Sequence, residues 1–436
     1  MNTILNLPIN RLITKLSDVK GSAISYEDLK NEVLKKEYCV SVKEDDTLAQ
    51  IYYNDTHPSD ENSLYKDIET SCRSYIFEKS TLLPIATQYN RIIYNEEAID
   101  FLKNKDWSKV TVQKCYEGTL LLLFHHNNKW YVTTRRCLDA KESTWIRNKS
   151  YKDMFDEARK DIFSFDDLNK DYCYHFVLMH HKNKNIVDYT HLGKDYKKLL
   201  HILTTEKYTL KEINYVIPGI ENIDDEYFES LDELLNKINE LSNNDETHFK
   251  VTCEGYVLKY YGEPDSVNVT TLKLQTRLYQ YLMKMKPNNS NIYQSYLELY
   301  QKDKLLEFLP FFNEGNNDIV KRINISLKTI AKEVLDIYHA TRHKSNPIIY
   351  SQLGEMYKKV LYTLHGKFIN NKKINSNYSI SIHDVYHYIK ELPAYELRQI
   401  YYERQLLVSK DCNFINRNCI YTTTQTMLMF KDDPKN

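Results

Sequence analysis

Two patterns of hydrophobic and polar positions divide the chain near residue 285. Between residues 68 and 280, short runs of β-branched and aromatic residues alternate with turns rich in Asn, His and Lys, which predicts β-strands. Residues 125–128 fit a hairpin loop, and residues 150–161 and 224–241 fit short helices. The predicted strands are residues 74–77, 118–124, 129–134, 172–179 and 249–261.

From about residue 291 the apolar residues recur at three- and four-residue steps, the spacing of one helix face. Ser381 and Asp384 predict a capping box for a further helix. The turn at residues 286–291 is the best boundary, so we expect an α+β, antiparallel β-rich domain over residues 1–285 and an all-helical domain over residues 286–436. The two apolar stripes are Ile319, Ile323, Leu327, Ile330, Val334 and Ile337, then Leu353, Met356, Tyr357, Val360, Leu361 and Leu364.

The composition is globular, with an unusual residue bias. Of 436 residues, 42% are hydrophobic, and 59 Lys and Arg nearly balance 60 Asp and Glu. No run of about 18 apolar residues exists, so we expect no membrane span, and residues 1–10 lack the features of a secretory signal. The 37 Tyr and only 9 Gly are typical of an AT-rich gene, as in some viruses and plasmids.

Cysteine and histidine positions do not predict a metal site. The 8 cysteines are scattered without a CxxC pair, which indicates reduced thiols in the cytoplasm and argues against zinc. The histidine pairs at residues 125–126 and 180–181 lie in polar stretches. We therefore expect them to be solvated turn residues rather than metal ligands.

Charge differs between the two halves of the chain. Residues 281–436 hold 22 Lys and Arg against 15 Asp and Glu, a net charge of +7, whereas residues 1–280 carry a net charge of −8. A basic half suits a partner with a phosphate backbone, because binding releases counterions. A solvated lysine-rich helical surface explains the same excess, so the net charge alone does not distinguish it from a surface that binds a phosphate backbone.

Several segments of the first half combine predicted strands with residues suited to phosphate chemistry. In chain order they are Cys-Arg-Ser-Tyr-Ile-Phe at 72–77, Lys-Cys-Tyr-Glu-Gly-Thr-Leu at 114–120, the double arginine within 129–140, Tyr-His-Phe-Val at 174–177, Glu-Gly-Tyr-Val at 254–257 and Lys-Leu-Gln-Thr at 273–276. Each is ordinary strand sequence when taken singly. Their order and spacing along the chain, taken together, indicate a function.

In this order the segments resemble the ATP-dependent RNA ligases of the covalent nucleotidyltransferase superfamily, specifically the bacteriophage-type RNA ligase 1 family. The resemblance covers residues 60–285 and implies an RNA ligase-like nucleotidyltransferase domain. In that family a lysine attacks the α-phosphate of ATP, AMP passes to an RNA 5′ end, and a 3′-hydroxyl displaces AMP. An active member therefore uses ATP and Mg²⁺.

The nucleophile motif departs from the family pattern by one residue. Glu117 and Gly118 look like its acid-glycine end, and Lys114 is the lysine available as nucleophile. The family, however, has its lysine three residues before the glycine, where this chain has Cys115. A shift of one residue turns a strand side chain to the opposite face, so either a bulge brings Lys114 inward or the nucleophile is lost.

The resemblance also assigns roles outside this motif. Glu254 looks like the carboxylate that organises the metal ion, and Lys273 like the first lysine of the phosphate-binding strand. Arg73 resembles the arginine that precedes the nucleophile motif, and Arg135 or Arg136 would contact phosphates of the nucleotide or substrate.

Two further positions differ from the family in residue type. His175 stands where the mid-domain motif has a glutamate, and Gln275 stands where the last motif has a second lysine. Because the loss of one catalytic group commonly costs orders of magnitude in rate, these departures weigh against an efficient ligase.

Two functions follow from the resemblance. The first is an RNA-binding, ligase-like protein with altered catalysis that acts on or protects cleaved RNA such as tRNA. The composition and motifs also resemble immunity proteins that yeast linear plasmids encode against RNA-cleaving toxins, which implies a ribonuclease toxin as partner. The alternative is an active ATP- and Mg²⁺-dependent RNA ligase that forms lysyl-AMP on Lys114. A protein-interaction module without affinity for nucleotide or RNA is the third interpretation.

Overall fold

A computed structural model shows two compact units, residues 1–281 and residues 282–436. Their element types match the expected α+β class, with antiparallel sheets first and helices after them, so this prediction is confirmed. No helix among the described residues is long and apolar enough to cross a membrane. The structure describes residues 7–54, 64–88, 91–146, 148–183, 185–262, 269–287, 292–311, 318–342 and 347–409.

The first unit contains all of the described strands and six complete helices. The strands are β1 Val40–Glu44, β2 Leu48–Tyr53, β3 Tyr75–Glu78, β4 Pro84–Thr87, β5 Ile93–Tyr94, β6 Val110–Cys115, β7 Thr119–His126, β8 Lys129–Thr133, β9 Thr144–Ile146, β10 Lys149–Ser150, β11 Tyr172–His180, β12 Lys197–Glu206, β13 Glu212–Ile213, β14 Glu221–Asn222, β15 Gly255–Tyr261 and β16 Val269–Gln275. The helices are α1 Pro8–Lys20, α2 Tyr26–Val33, α3 Leu64–Ser71, α4 Asn95–Leu102, α5 Tyr151–Arg159 and α6 Leu231–His248, and α7 Arg277–Met285 follows them.

These strands form three larger sheets and the small β9–β10 hairpin. One sheet has the order β1-β2-β3-β4, the second β13-β12-β11-β7-β8 with β14 beside β12, and the third β5-β16-β15-β6. Neighbouring strands are antiparallel except for the short pairs β5–β16 and β12–β14. The segments at residues 254–257 and 273–276 thus meet in the β15–β16 pair.

The second sheet is apolar on both faces, which explains the unbroken apolar run in β7. Leu121 and Leu123 pack into a core with Phe155 of α5. Leu122 and Phe124 point the other way, into a core shared with residues of β2, β3 and β4. A strand buried on both faces loses the alternation of polar and apolar residues.

The second unit is helical over its described residues. Both predicted apolar stripes are buried, the first on α10 and the second on α12 and the residues just before it. Ser381 and Asp384 form the predicted capping box at the start of α13. The helices are α8 Ile292–Gln301, α9 Leu305–Phe308, α10 Ile319–Arg342, α11 Pro347–Gln352, α12 Glu355–Ile374, α13 Ile382–Lys390 and α14 Ala394–Ser409.

Three local predictions differ from the structure. The hairpin turn after β7 is only Asn127-Asn128, both at positive φ, so the histidines before it belong to the strand. His126 is only 5% exposed and His180 is completely buried, so the expectation of solvated turn histidines is wrong for both. Phe249 caps α6 in the left-handed conformation, and β15 starts only at Gly255. Most of the expected boundary turn, residues 288–291, lies outside the described residues.

A buried ion pair inside the helical unit gives the first prediction. Arg404 of α14 donates from Nε and Nη2 to the two carboxylate oxygens of Glu333 of α10, at 2.7 and 2.6 Å. Arg404→Met leaves the Glu333 charge buried without its partner, and we expect a loss of about 3–5 kcal/mol in the free energy of unfolding.

Urea unfolding followed by far-UV circular dichroism measures this loss. The matched control is Lys390→Met, which breaks an ion pair with the exposed Asp303 and should change stability by less than about 1 kcal/mol. The double variant Glu333→Met/Arg404→Met should recover most of the loss. Equal stability of Arg404→Met and the control would contradict the prediction.

Candidate functional site

The pairing of β6 with β15 decides which side chain of the nucleophile motif faces the candidate site. Cys115 lies opposite Gly255 and Lys114 lies opposite Tyr256, and the pairs continue one to one along the rest of β6. The pairing contains no bulge that would turn Lys114. Successive side chains of a strand point to opposite faces, so Cys115 and Lys114 lie on different sides of the third sheet.

On the Cys115 side, the residue before β15 and two residues of β16 bring a carboxylate, an ammonium and an amide together. Lys273 Nζ donates to Glu254 Oε1 at 2.7 Å, and Gln275 Nε2 donates to the same oxygen at 2.9 Å. Gly255, between Cys115 and Gln275 in the sheet, has φ +143°, and a Cβ there would lie 2.1 Å from the carbonyl oxygen of Leu274. Only glycine permits this close approach of β15 to β16.

The electrostatics of this cluster oppose nucleophilic attack by either group. Burial and the nearby Glu254 carboxylate raise the pKa of the Cys115 thiol well above its ordinary value, so the thiol is neutral at pH 7. Burial disfavours the charge of Lys273, but the Glu254 carboxylate, which accepts its hydrogen bond, outweighs burial and raises the pKa of Lys273. Lys273 is therefore an ammonium, without a lone pair for attack.

Lys114 lies on the opposite face, near the end of α6. Its ammonium is 5.9 Å from the centre of the Tyr116 ring. Burial raises the pKa of Asp245, and hydrogen bonds from Thr252 and the charge of Lys114 oppose that shift. Asp245 accepts from the backbone N–H and the hydroxyl of Thr252, at 3.0 and 2.8 Å. Asp245 thus holds the chain between α6 and β15 through Thr252, and the charge of Lys114 lies on its side of the sheet.

Glu117 and Gly118 join the turn after β6 to the segment after β11. Glu117 Oε2 accepts from the backbone N–H groups of Ile186 and Val187, at 2.6 and 2.7 Å. The Tyr189 hydroxyl donates to the Glu117 carbonyl at 3.0 Å. A Cβ on Gly118 would lie 2.6 Å from the carbonyl oxygen of Leu178, so this position also requires glycine.

A cleft of about 500 Å³ lies beside the cluster in the first unit and brings Arg73, Arg91 and Arg135 together. Arg73 Nε is buried and has no hydrogen-bond partner within the part of the chain that the structure describes. The Arg135 guanidinium lies 4.6 Å from the centre of the Tyr53 ring. Glu69 also lines the cleft, and one of its oxygens is 3.8 Å from Arg91.

Two residues connect the cleft to its surroundings. Gln50 is fully buried, and its Nε2 donates to the Ser74 hydroxyl and to the Thr134 carbonyl, both at 2.8 Å, which holds the neighbouring Arg73 and Arg135 in position. Tyr94 lines the cleft and pairs with Lys273 across β5 and β16. Because Tyr94 belongs to both, the cleft and the Glu254–Lys273 pair are adjacent.

Sequence reasoning missed Arg91, Tyr53 and Tyr94. None belongs to a motif, and their spacing to Arg73 and Arg135 follows no helix or strand period. The pairing of β2 with β3 and of β5 with β16 brings them to the cleft. A weak signal was available for Tyr94, since it directly precedes α4.

The cluster does not fit a magnesium ion as it stands. Glu254 is engaged with Lys273 and Gln275, and Glu117 holds two backbone N–H groups. Among the described residues, no group of three or more His, Cys, Asp and Glu side chains is arranged to hold a metal ion. A metal ion at Glu254 would lie beside the Lys273 ammonium, whose positive charge opposes it.

His175, at the position of the family's glutamate, gives a prediction about pH. It is buried in β11, and burial, His201 and Lys259 lower its pKa to about 3. The unfolded chain binds a proton at His175 below about pH 6.5, whereas the folded chain does so only near pH 3. Stability is therefore lost as the pH falls through this window.

We expect His175→Gln to remove about 1–2 kcal/mol of the stability difference between pH 7 and pH 5. Urea unfolding followed by tryptophan fluorescence reports on the first unit, which contains all three tryptophans. His191→Gln at an exposed site is the control. The same pH dependence in His175→Gln as in the wild type would show that His175 is protonated in the folded protein.

Comparison with known proteins gives only short or distant matches. No protein-family model matches the chain. The immediate-early protein ICP-46 homolog of Invertebrate iridescent virus 6 is 44% identical over 64 residues, which cover 14% of this chain and 13% of that protein. The homolog from Invertebrate iridescent virus 3 is 31% identical over 78 residues, or 16% of this chain and 17% of that protein. The chain thus spans less than a fifth of either viral relative.

Two kinds of solved ligase structure are similar at low identity. A putative ATP-dependent DNA ligase from Aquifex aeolicus has a TM-score of 0.41 and 17% identity, covering 68% of this chain and 76% of that one. An archaeal ATP-dependent RNA ligase has a TM-score of 0.40 and 11% identity, covering 68% and 74%. Likeness at this level does not assign an activity to the chain, so its function must be argued from its own residues.

Proposed function

We propose that this chain is an RNA ligase-like RNA-binding protein with an altered nucleotidyl-transfer centre, which holds cleaved RNA rather than sealing it. One observation carries the proposal. The uninterrupted β6–β15 pairing directs Cys115, and not Lys114, toward Glu254 and Lys273. The order of the ligase-like motifs supports the part of the proposal that relates the chain to RNA ligases.

Covalent nucleotidyl transfer needs a neutral amine within reach of the α-phosphate. The cluster offers a neutral thiol at Cys115 and a charged ammonium at Lys273. His175 and Gln275 supply neither the carboxylate nor the second ammonium of the family pattern. Each departure removes a group that would otherwise stabilise charge on the transferred phosphate. Together they favour binding over catalysis.

The arginine-lined cleft supports the binding side of the proposal. A guanidinium group matches the oxygens of a phosphate with two parallel hydrogen bonds. The buried Nε of Arg73 lacks a partner among the described residues, so a phosphate oxygen in the cleft would satisfy it. The ATP phosphates and an RNA 5′-phosphate share this chemistry, and the ligand we propose is the RNA end.

The RNA that we propose is a cleaved molecule such as tRNA, in keeping with a role in repair of, or protection against, RNA cleavage. A ribonuclease toxin as a protein partner stays a prediction from the sequence resemblance alone. The active ligase, with ATP and Mg²⁺ and a lysyl-AMP intermediate, remains the alternative. The next experiment distinguishes it from the binding protein.

Incubation with α-labelled ATP and Mg²⁺, followed by a denaturing gel, tests for covalent AMP. We expect no labelled band from the wild type, from Lys114→Ala or from the isosteric control Cys115→Ser. Cys115→Lys restores an amine on the Glu254 side of the sheet, so we expect a labelled band if the chain still binds ATP. A wild-type band that disappears in Lys114→Ala would establish the active ligase, and a band that maps to Lys273 would also contradict the proposal.

Fluorescence anisotropy with a labelled, 5′-phosphorylated single-stranded RNA tests the cleft. Loss of one charge-assisted phosphate contact costs about 1.5–3 kcal/mol, so we expect Arg73→Gln and Arg91→Gln each to weaken binding at least about tenfold. Arg11→Gln removes an exposed arginine outside the cleft lining and should bind like the wild type. Equal affinities for all three variants would exclude the cleft as the RNA site.

A further inference from the structure

One face of α12 in the helical unit is exposed along its whole length. Its members recur at steps of three or four residues, which keeps them on one side of a helix with 3.6 residues per turn. They are Lys359, Tyr362, Gly366, Asn370 and Lys373, called here the α12 face, and the exposed Lys367 lies at its edge. The opposite side carries Met356, Tyr357, Val360, Leu361 and Leu364, all of them buried. No described element of the unit covers the α12 face.

The charges of this helix are strongly unbalanced. Within residues 355–374 there are five lysines and a single acidic residue, Glu355. Lys359 forms an ion pair with Glu396 of α14 at 2.8 Å. Lys367 and Lys373 have no carboxylate partner within the described part of the chain. Lys367 instead lies over the ring of Tyr388 of α13, 4.7 Å from its centre. Lys373 on the face and Lys367 at its edge are therefore ammonium groups that no described carboxylate neutralises, and an external anion can bind them.

Gly366, in the middle of the α12 face, is a second and independent observation. Glycine in a helix interior costs about 1 kcal/mol relative to alanine. A Cβ at this position would meet nothing within 4 Å, so no neighbour in the described structure requires glycine here. Glycine also permits the backbone of a ligand to approach a helix closely. Its presence fits a ligand that crosses the face between Tyr362 and Lys373.

The rings beside the lysines indicate what kind of anion fits. Tyr362 is 76% exposed on the face itself, and Tyr395 is 70% exposed near Lys359. Exposed aromatic rings next to lysines can stack unpaired bases while the ammonium groups bind phosphates. Lys359 and Lys373 are 14 residues apart, which corresponds to about 21 Å along the helix. That length accommodates several nucleotides.

We propose that the α12 face binds single-stranded RNA, with Lys367 and Lys373 on phosphates and Tyr362 against a base. This inference rests on the proposed RNA-binding function and adds a second contact surface in the helical unit. A single strand fits better than a duplex, because stacking needs unpaired bases and the major groove of A-form RNA is too deep and narrow for side chains. An acidic protein segment would match the charge but would not use the exposed ring.

Binding of a labelled, unstructured single-stranded RNA to the full chain, measured by anisotropy over a range of salt concentrations, tests the proposal. We expect Lys367→Glu/Lys373→Glu to weaken binding more than tenfold. Loss of two phosphate contacts should also lower the salt dependence, the slope of log K against log salt, by about 1.4. The matched control is Lys321→Glu/Lys328→Glu, which makes the same charge change at exposed positions of α10. We expect it to bind within about twofold of the wild type once salt is above 0.1 M, where distant charges are screened.

Gly366 separates binding from folding. Both Gly366→Ala and Gly366→Gln should raise the thermal stability of the helical unit, since each replaces glycine in a helix. Only Gly366→Gln should weaken RNA binding, because its longer side chain projects into the path of the ligand. A variant that is more stable and binds less tightly cannot be explained by misfolding.

The outcomes are distinct from those for the proposed function. Wild-type protein that binds no RNA would overturn the proposed function itself. Wild-type binding that Arg73→Gln weakens, but that Lys367→Glu/Lys373→Glu and Gly366→Gln leave unchanged, would overturn only the α12 proposal. Equal losses in the α10 and α12 double variants would also overturn it, as would tighter binding of duplex RNA or polyglutamate than of single-stranded RNA.

Discussion

The candidate site depends on the alternation of side chains along β6. Neighbouring residues of a paired strand face opposite sides, and the continuous hydrogen-bonded register with β15 leaves no bulge to reverse this order. Because Lys114 and Cys115 are neighbours in this strand, their side chains lie on opposite faces of the sheet. Lys114 faces the side of Asp245 at the end of α6, and Cys115 faces the Glu254 carboxylate and the Lys273 ammonium. Which of these two side chains faces Glu254 therefore decides whether the site contains a thiol or a further amine.

The second constraint is the cost of burying charge. Glu254 lies on the inner side of the sheet and requires hydrogen-bond donors, which Lys273 and Gln275 provide. Once Lys273 neutralises Glu254, it remains protonated, and the carboxylate no longer has a free oxygen pair for a metal ion. A centre of this kind is stable because its charges satisfy one another. In the adjacent cleft, by contrast, the buried Nε of Arg73 has no hydrogen-bond partner among the described residues.

The sequence predicted helices and strands better than it predicted which residues are buried or lie next to one another in the folded chain. The apolar stripes on α10 and α12 follow directly from residue period, because burial of one face repeats locally along the chain. The strands around Leu121 and Phe176 follow instead from short, nearly unbroken apolar runs. The histidines were misjudged because polar residues near strand ends look like turns, although β7 and β11 extend through His126 and His180. Arg91 and Tyr94 escaped notice because their importance comes from sheet pairing between residues far apart in the chain.

By itself, the sequence determined the α+β class, the helical second half, the order of the ligase-like segments and the presence of cysteine at the nucleophile position. These are properties of local period and residue identity, which the chain carries wherever it folds. Only the tertiary structure decided that Lys114 faces away from Glu254, that Lys273 and Gln275 share one carboxylate oxygen, and that Arg73, Arg91 and Arg135 meet in one cleft. The direction in which a side chain points, and the residues that lie near it, depend on the register between strands that are distant in the sequence. Long-range hydrogen bonds fix that register, and no local pattern encodes it.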